Sequence, residues 1–318
     1  MTAFLVTGGA GFIGSHLCDR LLAEGHRVVA VDDLTTGRIA NLGEARGYGK
    51  QFTFFNMDVR ADGLLPLFER HRPEVVMHLA AQAGVRPSLA DPVLDASVNV
   101  MGLLNVLECG VKTGVRKIVF AASGGTLYGE PKKVPVKESA AGPSHPLSPH
   151  GISKKVAAEY LAFYERYRGI DYTALALANV YGPRQDPLGE AGVVAIFASK
   201  MLAGETPTIF GDGNQTRDYV YVDDVVSGMV GAATAPEING LVINIGSGVE
   251  TSVRDLARLT LKVTGSGSNL VANAQTGGGV SRMCAGLSLA GQKLNYKPAI
   301  ALEDGLRLTL QRDARFQK

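Results

Sequence analysis

Charge is scarce in this 318-residue chain. Asp, Glu, Lys and Arg make up 19 %, against about 25 % in ordinary soluble proteins, and they nearly cancel to a net +2. Lys and Arg never form a block longer than a pair, aromatic residues are 7 %, and tryptophan is absent. With no basic, aromatic-studded face, nucleic-acid binding is excluded as the main task. Three cysteines, Cys18, Cys109 and Cys284, stand far apart and make no CxxC. They support neither a disulfide framework nor a zinc site, and a reducing, cytoplasmic setting is expected. His16, His26, His71, His78 and His145 lack metal-ligand spacing. Asp218, Asp223 and Asp224 read as a loop and a helix start, where Asp is favoured anyway. No metal is expected. No run of about 18 apolar residues is present, so no membrane span is expected. The apolar N-terminus has no basic flank, so no leader peptide is expected.

What is present is apolar and glycine-rich. Apolar residues are 46 %, which excludes disorder as the dominant state. The length fits one large domain or two merged ones. There are 39 glycines without a G-x-y period, marking tight turns and close backbone approaches. Up to about residue 180, short apolar runs alternate with helical stretches. Strands are expected at Ala3–Thr7, Arg27–Val31, Gln51–Asn56, Val75–Leu79, Val115–Ala121 and Tyr172–Leu177. Helices are expected at His16–Glu24 and near 62–71, 92–112 and 151–168. This alternation predicts an α/β fold: a doubly wound parallel (Rossmann) sheet covered on both faces. The rhythm then breaks. Tyr181–Glu190 reads as a loop, Val193–Ala203 as a helix, Thr208–Phe210 as a short extended piece and Leu241–Ile245 as one more core strand. The tail carries two helices, 252–264 and 302–313, in a smaller lobe.

Thr7-Gly8-Gly9-Ala10-Gly11-Phe12-Ile13-Gly14 follows the first strand and opens the first helix. Glycines at 8, 11 and 14 permit a tight turn, close approach of a pyrophosphate and close helix packing. Asp32 ends the second strand, where a carboxylate accepts both ribose hydroxyls and repels a 2′-phosphate. NAD is therefore expected over NADP, with Arg38 as a mild counter-signal.

The chain resembles the extended short-chain dehydrogenase/reductases, in particular the UDP-galactose (UDP-glucose) 4-epimerases and other sugar-nucleotide relatives. The resemblance spans nearly the whole chain: TGGAGFIGSHL (7–17), VDDLTTG (31–37), HLAAQAGVRPSLADP (78–92), NV (99–100), SGGTLYGE (123–130), ANVYGPRQDP (178–187) and GDGNQTRDYVYVDDV (211–225). It implies that Gly8, Gly11, Phe12, Ile13 and Gly14 hold the pyrophosphate, and that Asp32 holds the adenosine ribose near Asp33, Thr36 and Gly37. It places Asp58 and Val59 at the adenine, Leu79, Ala80, Ala81 and Gln82 along the cofactor groove, Asn99 and Ser123 near the nicotinamide half, and Lys154 on the nicotinamide ribose. Asn179 and Arg217 match diphosphate-facing residues, and Arg282 reads either as a compensating substrate contact or as a surface arginine. The units it suggests are 1–178 with about 219–248 for NAD, and about 179–218 with 249–318 for substrate. The resemblance implies a homodimer in which an apolar face of 92–112 and of 151–168 pairs with its copy, the other reading being that both faces are core.

The family pattern is broken in two places. The expected Tyr and Lys, four residues apart, are here His150 and Lys154 in Ser148-Pro149-His150-Gly151-Ile152-Ser153-Lys154. Spacing of four puts both on one helix face. A neutral imidazole, with an ordinary pKa of about 6.5, serves as a base at pH 7, but its tip reaches roughly 2 Å less far than a phenol oxygen. Three readings of His150 stand side by side. It is a working base in shifted or water-bridged geometry, or a lost function, or a structural residue with Tyr128 or another group doing the chemistry. Ser123 is the first candidate for the small hydroxyl and Thr126 the second. In the tail, Thr276 and Gly279 stand where relatives carry an arginine and an acid. A threonine is no substitute for a bidentate guanidinium. The function implied is NAD-dependent 4-epimerisation of a nucleotide sugar, a UDP-hexose first, by transient oxidation at C4. The alternatives are another, non-uridine substrate and a catalytically impaired NAD-binding homologue. Gly124-Gly125 takes the place of the Asp-Glu pair of the dehydratase branch.

Overall fold

Phe4 and Val6 point to one side of the first strand and Leu5 to the other, and all three are fully buried or nearly so. Such a strand needs cover on both faces. In the computed structural model, which describes residues 1–142, 144–187, 192–273 and 280–317, the strands are β1 (Ala3–Thr7), β2 (Arg27–Asp32), β3 (Phe52–Asn56), β4 (Val75–His78), β5 (Lys117–Ser123), β6 (Asp171–Leu177), β7 (Asn179–Tyr181), β8 (Thr208–Phe210), β9 (Thr216–Tyr221), β10 (Leu241–Ile245), β11 (Glu250–Ser252) and β12 (Val271–Asn273). The helices are α1 (Phe12–Ala23), α2 (Gly43–Arg46), α3 (Leu64–His71), α4 (Val85–Ala90), α5 (Pro92–Ala96), α6 (Gly102–Thr113), α7 (Gly124–Leu127), α8 (Pro149–Arg168), α9 (Val193–Leu202), α10 (Val222–Thr234), α11 (Val253–Thr264), α12 (Ser288–Leu294) and α13 (Leu302–Arg312).

Seven strands form one parallel sheet in the order β10-β6-β5-β4-β1-β2-β3. The order reverses beside β1, which opens a crevice beyond the carboxyl ends of β1 and β4. Thr7 stands level with Val31 and His78, so the loops after three strands share that crevice. Leu17 and Leu21 of α1 and Val225 and Met229 of α10 cover Phe4, Val6 and Val28 on one face. Phe68 of α3, Leu103 and Leu107 of α6 and Leu161 of α8 cover Leu5, Val29 and Val76 on the other. Two small sheets, β11-β9-β7 and β12-β8, stand apart from the main one. A third apolar cluster joins Leu127, Tyr128 and Val136 to Val280 and Met283.

Several element bounds differ from expectation. The first helix starts at Phe12, not His16, because the extended Gly11 stands directly before it and Phe12, Ile13 and Gly14 are already helical. The fifth strand runs Lys117–Ser123, two residues later than expected, because Gly114 terminates the preceding helix in a left-handed conformation. Tyr181, expected in a loop, ends β7. The stretch 92–112 is α5, one wide π turn at Ser97–Met101 and α6. Together these make one helix, Pro92–Thr113, of 22 residues and mean hydropathy 1.3, long and apolar enough to cross a bilayer. It holds Asp95, Asn99, Asn105 and Glu108, so it is not the unbroken run of about 18 apolar residues that the sequence was expected to lack. Leu103, Val106 and Leu107 are fully buried, which makes it a core helix.

Candidate active site

The crevice begins at the turn after β1. Gly8 adopts φ +69°, and a side chain on Gly14 would lie 2.1 Å from the Gly8 carbonyl. The first turn of α1 carries no acidic residue and no side-chain cap. Its N–H groups and dipole therefore face the crevice uncompensated, ready for an anion such as a pyrophosphate. Phe12 and Ile13 occupy that turn. At the end of β2, Asp32 accepts from the N–H of Ala10 at 3.0 Å and of Leu34 at 2.8 Å. Burial pushes its carboxyl up in spite of those bonds. Gly37 passes so close that a Cβ there would touch the Asp32 carboxylate at 2.5 Å. Asp33 caps Thr35 at 2.9 Å, and Thr36 is exposed beside it. Arg38, the NADP counter-signal, pairs with Asp186 at 3.4 Å.

Asp58 is clasped by Arg60, whose Nη2 lies 2.5 Å from Oδ2, and Val59 is packed into the core. On the β4 side, Thr7 Oγ1 accepts from the N–H of Leu79 and of Ala80, both at 3.2 Å. Gln82 is fixed through Asn99: its N–H donates to Asn99 Oδ1 at 2.8 Å, and Asn99 Nδ2 donates back to its carbonyl at 3.2 Å. Ala81 lies between, half-buried.

α8 brings the candidate base to this groove. Ser148 caps the helix by accepting from the Gly151 N–H at 3.2 Å, with Pro149 at its first position. A side chain at Gly151 would meet the Thr126 carbonyl at 2.8 Å, so the glycine lets α8 close on α7. His150 and Lys154 are buried on one face of α8. The Lys154 ammonium donates to the Ala121 carbonyl at 2.9 Å and sits 4.7 Å from the centre of the Phe120 ring. Burial pulls its pKa down to about 8, with the Asp95 carboxylate opposing. His150 Nδ1 lies 3.0 Å from the Gln82 carbonyl. Burial and then Lys154 hold the imidazole well below its ordinary value, against the opposing pull of Asp95. At neutral pH the ring is therefore uncharged. Ser123 ends β5 next to α7. The Thr126 hydroxyl is buried without a hydrogen-bond partner among the described residues.

Tyr128 is removed from the candidates. Its hydroxyl donates to Asn244 Oδ1, 4 % of the residue is exposed, and burial pushes the phenol well above its ordinary value. In the smaller lobe, Asn179 on β7 stands opposite Tyr219 on β9. The Tyr219 hydroxyl is buried without a partner among the described residues. Arg217, two residues earlier, spends one donor on the Thr216 carbonyl at 2.7 Å, and burial lowers its pKa. Arg282 turns one edge of its guanidinium, Nε and Nη2, to Glu250, at 2.7 and 2.8 Å. Thr276 and Gly279 lie outside the described residues. The residue that sequence reasoning misses is Asp95, with no exposure, 3.7 Å from His150 Nδ1. Its signal is the four-residue spacing to Asn99 on one helical face.

Residues 4–246 match the NAD dependent epimerase/dehydratase family. The chain belongs to that family. It is 45 % identical over 307 residues to the UDP-glucose 4-epimerase of Mycolicibacterium smegmatis, covering 96 % of this chain and 97 % of that one. A UDP-glucose 4-epimerase structure from Thermotoga maritima, solved with UDP-glucose, superposes with a TM-score of 0.92 at 44 % identity, covering 98 % of each chain. One from Thermus thermophilus, in complex with NAD, gives 0.90 at 38 % identity, covering 98 % of this chain and 100 % of that one. As a member of the NAD-dependent epimerases, this enzyme takes NAD as its cofactor. The uncapped N-terminus of α1, the glycine cradle and Asp32 fit that group.

Proposed function

We propose that this enzyme interconverts the C4 epimers of a UDP-hexose, UDP-glucose and UDP-galactose first, with neutral His150 as the base. One observation carries the reading. His150 Nδ1 lies 3.0 Å from a carbonyl oxygen, which only accepts. Nδ1 therefore carries the ring proton and Nε2 carries the free lone pair. His150 Nε2 makes no hydrogen bond among the described residues, and it is not among their buried unpartnered atoms.

When bound, NAD supplies the acceptor and then the donor of the hydride at C4. Gly8, Gly11, Phe12, Ile13 and Gly14 would hold its pyrophosphate, Asp32 its adenosine ribose with Asp33, Thr36 and Gly37 alongside, and Lys154 its second ribose. Asp58 and Val59 would border the adenine, and Leu79, Ala80, Ala81, Gln82 and Asn99 the groove. His150 Nε2 takes the C4 hydroxyl proton, directly or through one water given the short reach of imidazole, and returns it to the sugar turned over. Ser123 donates to the C4 oxygen, with Thr126 behind it. Asn179 and Arg217 hold the diphosphate, so the sugar turns while the nucleotide stays anchored. The units are 1–178 with about 219–248 for NAD, and about 179–218 with 249–318 for substrate.

We also infer a homodimer in the cytoplasm. Val93, Leu94 and Met101 on the long helix and Tyr160, Phe163 and Tyr167 on α8 are exposed. Such an apolar face suits a second copy. Three unpaired cysteines suit a reducing compartment.

The test is conversion of UDP-galactose to UDP-glucose by the unmodified protein and by His150→Phe, with NAD affinity measured alongside. The expected result is turnover lost in the variant at unchanged NAD affinity. An unmodified protein inactive on every UDP-hexose, with activity only in His150→Tyr, would overturn the reading.

A further inference from the structure

Asp95 is a carboxylate without solvent exposure, and its hydrogen bonds come from neutral groups. Asn99 Nδ2 donates to Oδ1 at 2.9 Å, and the Ser153 hydroxyl donates to Oδ2 at 2.5 Å. His150 Nδ1 stands 3.7 Å from Oδ1. The same Asn99 grips Gln82 from both sides, and the Gln82 carbonyl faces His150 Nδ1. Asp95, Asn99, Gln82 and His150 thus close a ring, braced by Ser153 one residue before Lys154. Every group that faces Nδ1 in this ring is an acceptor. Lys154 already feels the Asp95 carboxylate, and a positive charge formed on the adjacent ring adds to the compensation of this buried anion.

We propose that Asp95 is the positioning residue of this active site: it orients His150 with its proton on Nδ1 and stabilises the imidazolium formed when Nε2 receives the C4 proton. The proposal rests on the reading of His150 as the base. In the forward step the C4 O–H bond breaks as an N–H bond forms at Nε2. The C4–H bond breaks with its electron pair leaving to NAD⁺, and the C4=O bond forms. The return step reverses each transfer. Positive charge then appears on the ring that faces Asp95, where it is worth more than in water.

The charges around the ring are few. Lys154, on the same helix, opposes imidazolium, and Asp95 favours it. Arg86 of α4 lies against Phe210, 5.7 Å from its ring centre. Glu108 of α6 is held by Tyr164 and Arg168 at the far end of α8. Lys117 and Asp171 begin β5 and β6, at the amino-terminal ends of those strands, six residues from the ends that face the site.

The experiment has two arms on the full chain. In the first, ¹⁵N-histidine spectra of the protein without NAD, with the His150 signals assigned by their loss in His150→Phe, report tautomer and titration. The parent should show the Nδ1–H form. Asp95→Asn should move the His150 titration downward by about half a pH unit or more, since an anion beside the ring is removed. In the second, kcat is compared in a cycle of Asp95→Asn with His150→Tyr. Asp95→Asn should cost about thirtyfold or more with His150 present and less than about threefold with tyrosine there, because a phenolate gains nothing from a neighbouring anion. NAD affinity should stay within about threefold throughout. An unmoved titration, an Nε2–H tautomer in the parent, or equal losses in both backgrounds would make Asp95 a mere brace and overturn the proposal. If His150→Tyr is inactive, the spectra alone decide. Retained turnover in His150→Phe would instead sink the reading of His150 as base, while the titration still reports on Asp95 separately.

Discussion

Arg282 and Glu250 lie edge to edge, Nε to Oε1 at 2.7 Å and Nη2 to Oε2 at 2.8 Å. The pair holds the Glu250 carboxyl down at about 2, and Thr216 adds a further hydrogen bond to it. Glu250 takes the Nε–Nη2 edge of Arg282 and offsets its charge, whereas Arg217 gives one donor to a neutral carbonyl. Arg217→Ala should therefore weaken UDP binding by about tenfold or more, the size of a lost charge-assisted contact. Arg282→Ala should change it by less than about threefold. Calorimetric titration with UDP checks both, and the reverse ranking would reassign the anion site.

Asp32 closes the end of β2 with two backbone hydrogen bonds and faces the cradle. Its charge should repel a 2′-phosphate, so the unmodified protein should bind NAD in preference to NADP. Asp32→Ala should narrow the gap. Titration with both cofactors tests this, and tighter NADP binding by the parent would contradict it.

Turnover should respond to pH on two sides. Burial and Lys154 keep His150 unprotonated to well below pH 6.5, so activity should hold from pH 7 to about 6 and fall only on further acidification. The alkaline limb should lie near pH 8, where Lys154 loses its proton. A kcat profile between pH 4.5 and 9.5 reads both limbs. An acid limb above pH 7 would mean that the base is not this imidazole.

Tyr128→Phe should leave turnover nearly unchanged. It should cost about 1–2 kcal/mol of stability, because Asn244 Oδ1 loses its buried donor. Urea denaturation and kcat measured on one preparation separate the two effects. A large loss of kcat at unchanged stability would bring the phenol back as a candidate base.

Acid should destabilise the fold through buried histidines. Burial lowers His16 to about 4 and His78 to about 3. Below the ordinary value of about 6.5, the unfolded chain binds protons that the native one refuses. Their contribution is complete above that value and is lost as pH falls toward the folded values. Asp19, raised to about 6 by burial, acts in the opposite sense between 6 and 3.8. The net loss from these three groups between pH 7 and 4.5 should be roughly 3 kcal/mol, and His150, also lowered by burial, adds to it in the same sense. Denaturation midpoints that stay constant over this range would contradict it.

The sheet was legible because β1, β2 and β4 are apolar runs too short for helices and each is followed by a helical stretch. The cradle was legible because its glycines sit between strand and helix. Three things were hidden. β7 and β9 are brief, carry Tyr, Asn and Arg, and pair across a long gap in sequence, so no periodicity announces them. Arg282 looked free because Glu250 lies 32 residues away in the chain. Asp95 sat in a stretch read only as an apolar helix, and two of its partners, Ser153 and His150, come from α8, more than fifty residues on.

The seventh sheet strand, β10, pairs only with β6, yet more than sixty residues separate them in the chain. During synthesis β6 therefore emerges long before its neighbour. A chain stopped at 178 would present the backbone of β6 as an open edge flanked by buried apolar side chains. Such a fragment should self-associate rather than persist as a separate folded unit. Shuffling lobes between homologues would then succeed only when β10 travels with the amino-terminal part.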